Sequence, residues 1–406
     1  MWFSFTKHSL SYISHIMTIN LIESLACISK IIDMINPRLN LHHVRTAFIA
    51  WHLARESQFT PAQCRKTLLA ALLHDIGGLN EELRLQPLSY YDNELNNHAA
   101  VGSELLASVP LLTPLSPIVL YHHTRWDGGK GAYVHGQKVP KESHVIYLAD
   151  RIDVLIARYR ANDILSVKEE IINIVIQGEN TLYKPEYVNA FRKIANCDHF
   201  WLRIKSTEFD DYIKEIPRIH NDSVSLHNFR DIAAMLAFII DGFSKHGVQH
   251  SLVVGRISGY LAREIGIAPV QCLKIEIGGL LHNLPSLALC SAPAHTGDEN
   301  AVWEELHPIE AIRDIAGWCQ IQKTVVAKSA YPPEVMILRA SVCLASLLQG
   351  VTLSSEFKAR VGDAAEIAPE LAGMVQQQSA VLLQIFQESV KERLALVERI
   401  NRLNQT

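Results

Sequence analysis

The most constraining feature of this 406-residue chain is that one stretch of its sequence occurs twice. Residues 42–75 align without a gap on residues 250–283, at a constant offset of 208, and 13 of the 34 aligned positions are identical. Both copies contain LARE, then P-x-Q-C-x-K, then LLH. This shared order indicates an internal duplication, whose unit of about 200 residues has the size of a domain and not of a solenoid repeat.

The spacing of apolar residues predicts an all-α protein. Apolar positions recur every three or four residues, as in Leu21, Leu25, Ile28 and Ile32, and the alternation typical of strands is scarce. We therefore expect two tandem helical-bundle domains joined by a helical connector. The predicted boundaries are 1–160 for the first domain, 161–225 for the connector, 226–350 for the second domain and 351–406 for a C-terminal helical extension.

Composition excludes several classes of partner. A formal net charge of −4 offers no basic surface for a nucleic-acid polymer. No apolar run approaches the roughly 18–20 residues that a membrane span needs, so no membrane partner is expected. The seven cysteines form no C-x-x-C pair, which is typical of reduced thiols in a cytoplasmic protein.

The first copy carries a series of side chains that bind divalent ions. His74 and Asp75 end an apolar helical run, so we expect both to be buried. A buried carboxylate without a partner costs several kcal/mol, and a cation would satisfy it. Imidazole and carboxylate ligands suit iron, manganese or zinc, and a bridging Asp75 would hold two ions close together. The candidate ligands are His42, His74, Asp75, His98, His122, His123 and Asp150.

These motifs resemble the HD-GYP branch of the HD-domain metal-dependent phosphohydrolase superfamily. The resemblance rests on H-x(31)-HD, an isolated histidine, HHTRWDGGKGAY and YLADRID, in that order. It covers residues 20–160 well and residues 230–350 in weakened form. It implies a helical protein that holds two or three metal ions and hydrolyses cyclic dinucleotides such as cyclic di-GMP.

The resemblance assigns roles to residues of the first copy. All seven candidate ligands match the family's order, and Asp75 with His74 would be central to catalysis. Two divalent ions are expected, iron or manganese first, with zinc, nickel or magnesium as further options. We expect Trp126 to stack on a base and Arg125 or Lys130 to pair with phosphate.

The first copy also departs from the family pattern. Gly78 replaces the lysine of HDxGK, and Thr124 replaces the glutamate that follows the paired histidines. The Gly-Tyr-Pro turn is absent, and Arg38 stands where an acidic residue helps to hold a third ion. These changes leave the ligands of two ions in place. They are expected to affect the binding of a third ion, the choice of substrate and the turnover rate.

The second copy has lost most of the ligands. It keeps His250, His282 and His307, but Asn283 replaces the aspartate and Ser341 stands in the place of Asp150. The segment 325–333 has no paired histidines. We therefore expect no metal site there and a role in packing or ligand sensing. The two copies are expected to share an apolar interface, as the subunits of a pseudo-symmetric dimer do. A homodimer of the whole chain is a further alternative.

Three functions fit these residues. The first is a cyclic dinucleotide phosphodiesterase that uses two metal ions in the N-terminal domain. The second is a catalytically weak signalling or binding module with a residual metal site, which the missing lysine and Gly-Tyr-Pro favour. The third is a di-iron oxygenase of HD type, which needs fewer histidines than this chain carries.

Overall fold

A computed structural model describes residues 18–34, 41–78, 98–159, 163–205, 222–242, 247–289, 299–321, 331–362 and 367–403. The predicted all-α class is confirmed, because the described strands have only two or three residues each. Arg38, part of segment 325–333 and Cys290 lie outside the described residues. The first half contains β1 (Thr18–Asn20), α1 (Leu21–Asp33), α2 (His42–Glu56), α3 (Pro61–Leu72), α4 (His98–Ala107), α5 (Ser116–Leu120), a short hairpin of β2 (Tyr133–Val134) and β3 (Gln137–Lys138), and α6 (Lys141–Arg158).

Local capping residues explain where several of these helices begin. Asn20 accepts a hydrogen bond from the Glu23 backbone N–H at 3.0 Å, which caps α1. Thr60 and Gln63 form a reciprocal capping box at the start of α3, where Pro61 is the first helical residue and needs no N–H partner. These residues thus determine where α3 begins, and the turn that directly follows α3 contains His74 and Asp75.

Three further helices follow in the segment predicted as a connector. They are α7 (Ile164–Gln177), α8 (Pro185–Ala195) and α9 (Asp198–Lys205). α7 packs against α6 and α8 packs against α2, so the described residues 163–205 are largely helical and pack on the first half. The backbone N–H groups of residues 126–128 donate to the carbonyls of residues 180–182 at 2.7–3.0 Å, which anchors the loop after the paired histidines.

The second half repeats the arrangement of the first and adds C-terminal helices. α11 (His250–Glu264) packs against α12 (Pro269–Leu281) and α16 (Pro333–Leu347) as α2 packs against α3 and α6. The described elements are β4 (Ser223–Ser225), α10 (Leu226–Gly242), α11 (His250–Glu264), α12 (Pro269–Leu281), α13 (Ser286–Leu289), α14 (Glu299–Leu306), α15 (Arg313–Ile321), α16 (Pro333–Leu347), α17 (Ser354–Gly362), α18 (Pro369–Gln377) and α19 (Ser379–Leu403). None of the described helices is long and apolar enough to cross a membrane.

The duplication extends further than the aligned motifs. Asp33, at the end of α1, accepts hydrogen bonds from the backbone N–H and from Nδ1 of His43. Asp241, at the end of α10, accepts them from the backbone N–H and from Oγ of Ser251. Each residue of the second pair lies 208 positions after its counterpart, so α1 and α10 belong to the repeat as well.

The two halves contact each other through equivalent elements. β1 and β4, which directly precede α1 and α10, pair antiparallel with Ile19 opposite Val224. Contact between elements that hold the same place in the two halves is what a pseudo-twofold axis produces. α1 also packs against α14 and α4 against α19, and buried apolar residues of both halves form one continuous cluster.

Candidate metal centre

The seven candidate ligands come from five separate points in the first half, and the fold brings them together. His42 is the first residue of α2, His98 is the first residue of α4, and Asp150 lies in the middle of α6. His74 and Asp75 lie in the turn after α3, and the paired histidines 122 and 123 follow α5. All are buried except His123, which is partly exposed.

Asp75 stands between two groups of histidines. Its Oδ1 lies 3.1 Å from Nε2 of His98 and 3.4 Å from Nε2 of His122. Its Oδ2 lies 3.4 Å from Nε2 of His74 and 3.5 Å from Nε2 of His42. The two groups are His42 with His74, and His98 with His122 and His123, and within each group the ligand atoms and the carboxylate lie within 4.8 Å of one another. The carboxylate of Asp75 therefore belongs to both groups of ligand atoms.

The atoms at this centre have the properties of metal ligands. Nε2 of His42, Nε2 of His74 and both carboxylate oxygens of Asp75 are buried without a hydrogen-bond partner. Buried polar groups in proteins are normally satisfied, so four such atoms at one place call for an ion. The residues therefore fit the divalent cations that the sequence predicts.

The opposite edges of the imidazole rings are held by a second set of contacts. Nδ1 of His74 donates to the carbonyl of Ala71 at 2.8 Å, and Nδ1 of His122 donates to the carbonyl of Val119 at 2.6 Å. Nδ1 of His42 lies 2.7 Å from a carboxylate oxygen of Asp153. These contacts fix the tautomers and direct the Nε2 atoms to the centre.

Sequence analysis missed the residues that support His42. Asp153 accepts two hydrogen bonds from Arg45, at 2.5 and 3.1 Å, besides the one from His42. Asp153 is the last residue of YLADRID, three positions after Asp150 and thus on the same face of α6. That spacing was the available signal.

The pKa shifts describe the charges at the centre. Burial lowers the pKa of His74 well below its usual value, so its imidazole is neutral. Burial opposes charge on His42 too, but the hydrogen bonds to Asp153 and Asp75 raise its pKa well above the usual value. For Asp75, burial is outweighed by the neighbouring histidines, which hold its pKa well below the usual range. Asp75 is therefore a carboxylate, the form that binds a cation.

Asp150 lies near the centre but makes fewer close contacts with the other candidate ligands than Asp75 does. Its Oδ1 lies 3.5 Å from Nε2 of His42 and has no hydrogen-bond partner, while its Oδ2 accepts from Nη2 of Arg151 at 2.6 Å. Asp150 lies outside both groups of converging ligand atoms. Its role as a ligand stays a prediction.

Comparison with known proteins agrees with this geometry. The HD domain family matches residues 41–155, a range that contains all seven candidate ligands. These residues are an HD domain. A solved structure of a cyclic GMP-AMP-specific phosphodiesterase from Vibrio cholerae resembles this chain with a TM-score of 0.54 at 14% identity, over 90% of this chain and 98% of that one. The likeness in fold thus covers both halves.

Two curated relatives are similar in sequence. The 3'3'-cGAMP-specific phosphodiesterase 1 of Vibrio cholerae is 24% identical over 277 residues, which are 66% of this chain and 64% of that protein. A cyclic di-GMP phosphodiesterase of Thermotoga maritima is 29% identical over 183 residues, which are 43% of this chain and 48% of that protein. The matches thus span between 48% and 64% of these relatives.

The glycine after the HD dipeptide is required by a close approach. A Cβ atom added to Gly77 would lie 2.0 Å from the carbonyl oxygen of His98 and 2.3 Å from the backbone nitrogen of Gly102. The turn of the HD dipeptide therefore lies directly against the first turn of α4. This contact brings His98 to Asp75.

The three predicted substrate-binding residues of the HD domain lie in the loop after the paired histidines. Arg125 and Lys130 are exposed, and Lys130 Nζ lies 3.3 Å from Asp127. Trp126 is half-buried, with the ring of His144 at its edge, 5.4 Å between centroids, and Nζ of Lys184 5.5 Å from its ring. Their roles toward substrate stay predictions.

The second copy keeps a remnant of the centre. The rings of His250 and His282 lie 5.3 Å apart, close to the 5.1 Å between His42 and His74. His307 is exposed on the surface, and Ser341 donates its hydroxyl to the carbonyl of Ile337. Among the described residues, both groups able to hold a metal ion belong to the HD domain of the first half.

Proposed function

We infer that this protein is a metal-dependent phosphodiesterase that hydrolyses a cyclic dinucleotide in its N-terminal HD domain. The observation that carries the proposal is the position of Asp75, whose two oxygens each lie beside a separate pair of imidazole nitrogens. A carboxylate shared by two ligand groups is suited to two ions. The names of the relatives point to cyclic dinucleotides of the cyclic di-GMP and cGAMP kind.

The ligands divide into two sets around Asp75. We assign His42, His74 and Asp150 to one ion, and His98, His122 and His123 to the other, with Asp75 common to both. Imidazoles suit iron, zinc and nickel, and the carboxylates Asp75 and Asp150 also suit manganese, so we propose iron or manganese first, with zinc and nickel as alternatives and magnesium, which prefers oxygen ligands, the least suited.

The chemistry follows from this assignment. When bound, the ions supply positive charge that stabilises a phosphoryl group and lowers the pKa of a water molecule. Asp75 and His74 orient the centre from its buried side. His123 is partly exposed, so substrate would enter from the side of His123 and its loop. Arg125 and Lys130 would bind phosphate there, and Trp126 would contact a base.

Two observations favour a second candidate, a binding module with a residual metal site. Gly78 leaves the turn after HD without the family's lysine, and Arg151 already neutralises one oxygen of Asp150. Both features would slow turnover while keeping the other ligands in place. The HD-type oxygenase has no comparable support, because it leaves His122 and His123 without a role.

The test is hydrolysis by the full-length chain reconstituted without oxygen with Fe²⁺ or Mn²⁺. Cyclic di-GMP and 3'3'-cGAMP would be incubated with the protein, and linear dinucleotides separated by chromatography. We expect metal-dependent linear products from wild type and none from Asp75→Asn. His307→Gln serves as the control, because His307 is exposed in the second half. Metal and nucleotide binding without any product would instead support the binding module.

A further inference from the structure

A second cavity lies between the two halves, away from the HD dipeptide. Its volume is about 500 Å³. Residues 108–110, just after α4, form one wall, α10 to α12 form another, and the C-terminal helix α19 closes it. Such a volume is in the range of small-molecule sites. No motif in the sequence marks this cavity, because its walls come from five separate stretches of the chain.

Arg393, on α19, is the feature of this cavity that calls for a ligand. Its side chain is only 4% exposed, and its Nε has no hydrogen-bond partner. Its Nη2 donates to the carbonyl of Ala234 at 2.6 Å, and its guanidinium lies 5.4 Å from the ring centroid of Phe238. Burial lowers the pKa of Arg393 to about 10, which still leaves it charged at neutral pH. A buried cation with an unused donor is costly unless an anion meets it.

The other arginines of the cavity already have carboxylate partners. Arg230 pairs with Asp231 at 2.6 Å, Arg256 pairs with Glu392, and Arg399 pairs with Glu104 at 3.2 Å. Within the described parts of the chain, no carboxylate lies within ion-pair distance of Arg393. The charge of Asp241 acts on Arg393 and raises its pKa against the larger effect of burial, but both oxygens of Asp241 accept hydrogen bonds from Ser251. Arg393 is thus the cation of this cavity that an added anion would neutralise.

Apart from Ser108, Glu276, Arg393 and the paired charges, the lining is aliphatic. Val109, Met235, Leu252, Leu280 and Leu396 contribute apolar surface, and the lining contains no aromatic side chain. An aliphatic wall stabilises a ligand body by burial of apolar area, whereas a nucleobase would need an aromatic ring to stack on. The cavity therefore suits a ligand different from the proposed substrate.

We propose that this cavity binds a small amphipathic anion, with its carboxylate or phosphate group on Arg393 and its aliphatic body against α10 to α12. The site does not depend on the proposed hydrolysis. It uses residues of the second copy and of α19, which gives the half without metal ligands a binding role. One wall directly follows α4, and α4 begins at the ligand His98, so the site adjoins an element of the HD domain.

Isothermal titration of the full-length protein with hexyl phosphate, hexanoate and inorganic phosphate tests the proposal. We expect one site per chain for at least one hexyl probe, and binding of inorganic phosphate at least about tenfold weaker because it lacks the apolar body. The two hexyl probes distinguish a phosphate from a carboxylate group. Absence of binding by both hexyl probes, or equal binding of inorganic phosphate, would overturn the proposal.

Three variants locate the site. Arg393→Gln should weaken binding about tenfold or more, since it removes a charge-assisted hydrogen bond. Ala395 lines the cavity from an exposed position on α19, so Ala395→Phe should narrow the cavity and weaken binding without disturbing the core. This variant still tests the site if Arg393→Gln does not fold. Arg402→Gln, on the same helix but outside the cavity, should bind as wild type does. Unchanged binding in a folded Ala395→Phe protein would contradict the assignment.

Discussion

Nδ1 of His42 lies 2.7 Å from a carboxylate oxygen of Asp153, and this contact orients a ligand of the metal centre from outside the ligand set. Asp153 is itself held by Arg45. Supporting carboxylates of this kind raise the basicity of a histidine ligand and fix its ring. The relationship yields the first prediction.

Asp153→Asn should weaken metal binding by about 10- to 100-fold, because His42 loses its charged partner while all seven candidate ligands stay in place. Competition with a chelator of known affinity would measure the change. Asp163→Asn is the control, since Asp163 caps α7 by accepting from the Leu165 N–H and lies in the connector. Equal metal affinity of Asp153→Asn and wild type would show that the contact has no such role.

Gly77→Ala should disrupt the contact between the HD turn and α4. The added methyl group would lie 2.0 Å from the His98 carbonyl oxygen, so one of the two segments must move. We expect a loss of unfolding free energy of about 2 kcal/mol or more together with reduced metal content. Gly373→Ala is the matched control: no atom lies near its added Cβ in α18, so a gain of up to about 1 kcal/mol is expected. Similar denaturation midpoints for the two variants would refute the close-approach argument.

Asn283→Asp restores the aspartate of the second copy but should not restore a metal site. His250 and His282 retain their spacing, yet His307 is exposed and Ser341 replaces a carboxylate. Two histidines and one carboxylate leave too few ligands for a pair of ions. Elemental analysis should therefore give the wild-type metal content, and an increase would indicate that the second copy is closer to a working centre than its residues suggest.

Asp241 should make the stability of the second half depend on pH. Burial raises its pKa to about 6, above the usual value of 3.8. The folded state thus binds a proton that the unfolded state releases between these values, so stability falls as the pH rises from about 4 to 6, by at most about 3 kcal/mol. Asp241→Asn should flatten that part of the profile, as measured by urea unfolding at several pH values. An identical pH profile for the variant would contradict the shift.

The shared surface between the halves predicts the behaviour of a fragment. Residues 1–225 expressed alone would expose the face of α1 that packs against α14, and the face of α4 that packs against α19. We expect this fragment to aggregate or to dimerise through that face, as detected by light scattering. A stable monomer with full metal content would mean that the interface contributes little.

The sequence predicted which side chains converge on Asp75, because their order and spacing are set along the chain, and their role as metal ligands stays a prediction. The helical class and the turn at His74 and Asp75 followed from apolar spacing. The support of His42 by Asp153 and Arg45 could not be predicted with the same ease, since it joins α2 and α6 across more than 100 residues. The pairing of β1 with β4 was not predicted either, because strands of three residues leave no pattern and their partners lie in different halves.

The measurement that tests the central claim most directly is the metal content of Asp75→Asn. The claim is that one carboxylate holds both ions, since Oδ1 faces His98 and His122 while Oδ2 faces His42 and His74. The variant copies the residue that the second copy has at Asn283. After reconstitution with iron or manganese, wild type should hold about two ions per chain and Asp75→Asn should lose most of both, with an unchanged helical circular dichroism spectrum. Metal content near the wild-type level in the folded variant would contradict the account.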